Sequence, residues 1–213
     1  FCPNYDCPDQ VKGRIAFFAS RDMMDIESLG PKTVDVLYDK GLLRSIEDIY
    51  RADYDTLIGT PGIGEKTVSA LKNGIKKSFS QPFKTVLASL GVAELGPKMA
   101  DLLVSNGFDN IDKLINASAE NDSESFTKIK GVGENTAELI IKAFSDKRLL
   151  ETISALWSFG LHLNSAQDRT EDEYPQIFKD QVWCVTGSFK NFNPRSKAMA
   201  EVEKRGGRTV SSV

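Results

Sequence analysis

Gly62-Ile63-Gly64-Glu65-Lys66-Thr67 is the stretch of this 213-residue chain whose residue types have the clearest chemical use. Its two glycines bare the backbone, and a lysine and a threonine follow within three residues of the second. Exposed backbone amides beside a mobile ammonium group suit one ligand class, a phosphate. The same columns recur around Gly30, Gly96 and Gly133. The residue before each glycine is aliphatic: Leu29, Ile63, Leu95 and Val132. Two residues after it stand Lys32, Lys66, Lys98 and Asn135, and three after it Thr33, Thr67, Met99 and Thr136. Aliphatic residues return four and seven places on, as Val34, Val68, Ala100 and Ala137, then Leu37, Leu71, Leu103 and Ile140. The copies lie 32 to 37 residues apart. Six columns in register over four copies mark an internal repeat.

The elements that must position these residues follow from the spacing. Glycine allows a tight turn. Pro31, Glu65, Pro97 and Glu134 come next, and each suits a first helical turn, proline because it has no amide to lose and glutamate because of the dipole. Residues four and seven places on share one helical face. Each copy therefore reads as helix, glycine hairpin, helix, with amides left open where the second helix begins. This resembles the helix-hairpin-helix motif, which holds nucleic-acid backbones without reading sequence. The resemblance implies contacts by Gly30, Lys32 and Thr33; by Gly62, Gly64, Lys66 and Thr67; by Gly96 and Lys98; and by Gly131, Gly133 and Thr136. The second copy is the best formed, and the fourth, with Asn135, serves mainly to complete the array. The competing reading is a helical repeat in which glycine only permits close packing.

Composition bounds the answer. Apolar residues make up 40% and charged residues 27%, as in a soluble globular protein. No apolar run approaches a membrane span. The formal charge of −3 and pI near 5.4 argue against a nucleic-acid protein taken whole. Local contacts made by backbone amides weaken that objection, because amides carry no formal charge. Three cysteines and no secretion signal point to a reducing, cytoplasmic interior. The chain begins at Phe1 without methionine and stops in a strand-like run, and is expected to be a piece of a larger protein.

Cys2 and Cys7 flank a turn-rich segment, Cys-Pro-Asn-Tyr-Asp-Cys-Pro. A knuckle of this kind supplies half of a tetrahedral zinc site; the alternative is a pair of free surface thiols. Lys12-Gly13-Arg14-Ile15 and Met24-Asp25-Ile26-Glu27-Ser28-Leu29-Gly30 follow. This order resembles the bacterial NAD-dependent DNA ligase family, in which a four-cysteine zinc finger leads into four helix-hairpin-helix motifs. The resemblance implies that Cys2 and Cys7 are the second half of that finger. It further implies that NAD and magnesium act in catalytic domains outside this chain. The implied partners are a nicked DNA duplex, held independently of sequence, and those catalytic domains.

The expected fold is mainly α, with four hairpin repeats forming two paired units. A zinc-finger remnant precedes them at 1–20 and a truncated α/β segment follows. The repeats occupy 21–163, an acidic linker 164–176 and the tail 177–213. A short helix is expected from Ser45 through Tyr50 and another at Leu57 and Ile58. The helix after Gly64 places Val68, Leu71 and Ile75 on one face and Lys72, Lys76 and Lys77 off it. Further helices are expected over 83–90 and 149–159, with a short one around Ile111, Leu114 and Ile115 and a loop over 119–125. Trp157 and Phe159 read as core rather than base-stacking groups, and His162 as a surface residue. In the tail, strand, Thr186-Gly187, helix, Gly206-Gly207, strand resembles the opening of a BRCT domain. Thr186 and Ser188 match the start of that family's phosphate site, although a turn required by the fold is the plainer reading. Cys184 reads as core. The competing functions are a non-enzymatic helix-hairpin-helix scaffold, such as a junction-binding repair subunit, and a phosphoprotein adaptor. The family's Lys-x-Asp-Gly nucleophile run does not occur in this sequence.

Overall fold

The computed structural model describes residues 4–166, 178, 181–184, 186–187, 198–199, 201–202 and 207–210. Contacts divide the chain into a helical unit ending at Asp168 and a second unit from Arg169 to Val213.

The helical unit contains α1 (Pro8–Ala19), α2 (Pro31–Asp39), α3 (Glu65–Ser78), α4 (Phe83–Ser89), α5 (Pro97–Ser105), α6 (Ile111–Ala119), α7 (Ser123–Thr127), α8 (Glu134–Phe144) and α9 (Lys147–Phe159). Two 3-10 turns, Glu47–Tyr50 and Tyr54–Leu57, replace the helices expected around Ser45 and Leu57. In the second turn, the Asp53 carboxylate accepts from the Asp55 amide at 3.1 Å, and the cap fixes where it starts. The helical repeat is therefore present four times, as α1–α2, the second 3-10 turn with α3, α4–α5 and α7–α8. The segment 119–125, expected to be a loop, instead gives way to α7 at Ser123, whose amide-accepting cap is Asp122.

Helix α1 is the element the sequence reading left unassigned. Pro8 starts it, and Val11, Ile15, Phe18 and Ala19 bury its inner face. It packs against α2 and α4 and so supplies the leading helix of the first repeat. One continuous hydrophobic cluster runs from Val11 to Leu163 and includes every aliphatic residue before, four after and seven after the hairpin glycines. An aromatic knot anchors the first half. Tyr50 stacks on Phe159 at 5.8 Å and meets the edges of Phe18 and Phe79, while its hydroxyl lies 3.0 Å from that of buried Ser78. Burial pushes the Tyr50 and Tyr54 phenols up, so both stay protonated through the neutral range. Tyr54 donates to the Ile49 carbonyl at 2.6 Å.

Tyr5 forms a clasp between distant parts of the chain. Its ring lies between the guanidinium of Arg14 on α1, 3.7 Å from the centroid, and that of Arg148 on α9, at 4.1 Å. Arg14 also donates to the Tyr5 carbonyl at 2.9 Å.

Two expectations need correcting. Trp157 is 50% exposed, because Leu156 and Ile153 are the α9 residues that turn inward. His162, expected on the surface, is half-buried between buried Leu161 and Leu163.

Side-chain caps start α6, α7 and α9. Asn110 accepts from the Lys113 amide at 3.0 Å, Asp122 from Ser125 at 3.1 Å and Asp146 from Arg148 at 2.8 Å. Hydrogen bonds from the Ser125 hydroxyl and amide hold the Asp122 carboxyl below its usual range. Its cap is therefore complete above the ordinary carboxylate range and is lost as pH falls through that lowered value. Asn110→Ala removes an uncharged cap and is expected to lower stability by about 1 kcal/mol, read as a shifted urea midpoint.

In the second unit, β1 (Val182–Cys184) and β2 (Arg208–Val210) pair in parallel, with Val182 opposite Arg208 and Cys184 opposite Val210. Parallel neighbours need a crossover, and described helical residues 198–199 and 201–202 lie between them in sequence. Val202 is buried, and a Cβ at Gly207 would stand 2.6 Å from it, so glycine is required there for packing. Cys184 is half-buried and Thr186 exposed, while Ser188 and Gly206 lie outside the described residues.

Candidate nucleic-acid interface

The four hairpins share one hydrogen-bonding scheme. Each closes on an amide–carbonyl bond spanning three residues: Leu29 to Ile26, Ile63 to Thr60, Leu95 to Val92 and Val132 to Ile129, at 2.9–3.2 Å. The third residue of each turn is left-handed: Ser28 (φ 65°), Gly62 (82°), Glu94 (63°) and Gly131 (106°). That is the residue a type II turn places at positive φ. The aliphatic fourth residue is buried in every copy and pins the turn to the core.

The next glycine caps the helix. Gly30, Gly64, Gly96 and Gly133 have φ of −81°, −98°, −80° and −88° with extended ψ, so none is left-handed. The tight-turn role expected of these four belongs instead to the residue two places earlier. Each cap carbonyl accepts from the amide four residues on, at 2.9–3.1 Å. A Cβ at any of the four positions would meet nothing within 4 Å. Close packing is therefore not what glycine provides at these caps, and the competing structural reading loses its basis there.

What the glycines do leave is open backbone. None of α2, α3, α5 and α8 has a side-chain cap, whereas α6, α7 and α9 do. Uncapped first-turn amides are unsatisfied donors at the positive end of a helix dipole. Proline at the first helical position removes one of them in α2 and α5, while α3 and α8 keep it behind Glu65 and Glu134. Lys32, Lys66 and Lys98 are exposed and carry no ion pair among the described residues. Some neighbouring lysines do: Lys72 on α3 lies 2.6 Å from Asp55, and Lys84 on α4 lies 2.6 Å from Asp101. Thr33, Thr67 and Thr136 are half-buried one residue further on. In the fourth copy exposed Asn135 replaces the lysine, and exposed Lys130, second in the turn, supplies the nearby positive charge. Sequence reasoning passed over Lys130 because it precedes the glycine rather than following it.

The repeat is a duplication of two unlike hairpins. The first and third carry proline after the cap glycine; the second and fourth carry glycine in the turn and glutamate after the cap. The family model described as a SAM-like helix-hairpin-helix tandem matches residues 20–77 and again 86–146, one hairpin of each kind in each match and more than half of the chain together. The chain belongs to the tandem helix-hairpin-helix family. The two matches correspond to the two paired units expected from the sequence, and the mainly helical fold agrees with them.

This tandem helix-hairpin-helix chain is also similar over its whole length to proteins named DNA ligase. Identity is 43% to that of Leptospira interrogans serovar copenhageni, 38% to that of Leptospira biflexa and 33% to that of Borrelia duttonii. It spans about a third of each relative, 31–32% of the length.

The cysteine knuckle is described only in part. Cys2 lies outside the described residues. Cys7 is half-buried, caps α1, and accepts through its carbonyl from Val11 at 3.0 Å. Among the described residues no group of three or more histidine, cysteine, aspartate or glutamate side chains is placed to hold a metal. No described helix is long and apolar enough to cross a membrane.

Proposed function

We propose that this chain is the DNA-holding, carboxyl-terminal part of an NAD-dependent DNA ligase of the cytoplasm, acting in replication and repair. The observation that carries the reading is the set of four glycine-capped helix starts without a side-chain cap, three followed by a lysine with no ion pair among the described residues, in a chain similar to DNA ligases from end to end. Amides and lysines of this kind bind phosphate oxygens and set position along a duplex without reading bases. The chain holds a nicked duplex in register, while adenylation by NAD and magnesium-assisted joining take place in domains beyond it. Its own residues donate hydrogen bonds and positive charge and supply no nucleophile. Cys2 and Cys7 would give two of the four thiolates of a structural zinc site; the described residues near Cys7 offer no third ligand, so no step depends on it.

The test is fluorescence anisotropy with labelled nicked duplex, intact duplex and single strand over a salt series. Duplex affinity should fall with salt, each neutralised phosphate contributing about −0.9 to the log–log slope. Lys66→Gln should make that slope shallower by about 0.9 without altering the melting temperature. Affinity for duplex that is absent or independent of salt would refute the proposal.

A further inference from the structure

Helix α3 extends beyond its hairpin as a polar face that the hairpin chemistry does not use. Lys66, Ser69, Asn73, Lys76 and Lys77 line one shallow groove, with Glu27 of the first hairpin at its edge. Spacings of three, four and three residues keep Lys66, Ser69, Asn73 and Lys76 on one side of the helix, and Lys77 adjoins Lys76. All five α3 residues are exposed. Lys76 and Lys77, like Lys66, have no ion pair among the described residues, whereas Lys72, which does not line the groove, is tied to Asp55. The groove exists because Gly74 lets α3 lie directly on the first hairpin's turn: a Cβ there would stand 2.6 Å from the Glu27 amide nitrogen.

We propose that this face is a second phosphate-binding track, through which Lys76 and Lys77 hold backbone phosphates of the same duplex away from the hairpin. From Lys66 to Lys77 the helix rises about 16 Å, so the far lysines reach phosphates that the Gly64 amides cannot. Ser69 and Asn73 stand between as neutral hydrogen-bond donors. Glu27, in the turn of the first hairpin, opposes the anion. In a chain of net charge −3, three lysines with no ion pair among the described residues and one carboxylate in a single groove concentrate positive charge where the whole molecule has none to spare. The inference rests on the DNA-holding reading and adds a contact surface to it. The competing role for Lys76 and Lys77 is to complement the carboxyl-terminal end of the α3 dipole.

The experiment compares Lys76→Gln/Lys77→Gln, Glu27→Gln and Lys66→Gln with the parent chain on one nicked duplex, by anisotropy over a salt series and by thermal melting. The double variant should weaken binding and make the salt slope shallower by about 1.8, twice the effect of Lys66→Gln. Glu27→Gln should tighten binding at low salt. If Lys66→Gln changes the slope and the double variant does not, the track is refuted and the hairpin reading stands. If neither changes it, both fall. A double variant with lowered melting temperature and an unchanged slope assigns the lysines to the helix dipole and likewise overturns the proposal.

Discussion

Gly64→Asp should leave the helical unit at least as stable as before and weaken duplex binding by on the order of tenfold, the loss of one charge-assisted hydrogen-bonded contact. The backbone at Gly64 (φ −98°, ψ 174°) is already the extended conformation that a capping aspartate adopts. A Cβ there meets no other atom within 4 Å. The new carboxylate can accept from first-turn amides of α3, as Asp146 does from the Arg148 amide at 2.8 Å. Aspartate and glycine differ by only a few tenths of a kcal/mol as caps, and the dipole favours the carboxylate. For a phosphate the same carboxylate is both a competitor for the amides and a repelling charge. The substitution therefore separates folding from binding, which deletion of a lysine does less cleanly. Melting should be unchanged or slightly raised, and anisotropy should show the loss. Parental affinity in the aspartate variant would show that the second hairpin does not bind through its amides.

Two glycine-to-alanine changes should move stability in opposite directions. Gly13 lies within α1 on an exposed face, and an added Cβ meets nothing within 4 Å. Gly13→Ala should stabilise by about 0.5–1 kcal/mol, the ordinary helix-propensity gain. Gly74 lies within α3, where the same gain is available, but its Cβ would meet the Glu27 amide nitrogen at 2.6 Å and the Ile26 carbonyl carbon at 3.2 Å. Both contacts are backbone, so no side chain can swing aside. Overpacking of this kind costs about 1–3 kcal/mol, enough to outweigh the propensity gain. Gly74→Ala should therefore lower the melting temperature by several degrees and loosen the seating of α3 on the first hairpin. A stabilised Gly74→Ala chain would mean that the two hairpins of the first pair do not touch as described.

The sequence made the repeat legible because burial imposes a period. Leu29, Ile63, Leu95 and Val132 must be apolar to pin each turn, and the positions four and seven places after the glycine must be apolar to face the core. Other features left no such trace. Ser28 and Glu94 sit in the left-handed region, where neither residue type is favoured, so the turn is visible only in the copies with Gly62 and Gly131. Of the two properties the sequence suggests for the zero-position glycine, a tight turn and an open helix start, the backbone shows the second and moves the first two residues earlier. Helix α1 begins behind a cysteine-proline segment that resembles a metal knuckle, and its buried residues have no hairpin glycine before them. Helix α7 is five residues long, too short for periodicity, and only the Asp122 cap announces it. Trp157 was misplaced because size and apolarity say nothing of which way a helix faces; Leu156 and Ile153 decide that. At the candidate site, the open amides could be read from glycine alone, but that Lys32, Lys66 and Lys98 make no ion pair among the described residues depends on which acids come near in space.

The single hydrophobic cluster from Val11 to Leu163 means that the four hairpins are not four tethered modules. Their separations are fixed before any ligand arrives. Under the proposed function, once one hairpin has captured a phosphate, the others would meet theirs at an effective concentration set by a solid core rather than by a linker. A contact that opens is recaptured before the rest let go, so release requires several to fail together. The same rigidity makes the array a gauge: a backbone whose phosphates do not match its spacing can satisfy one hairpin but not the set.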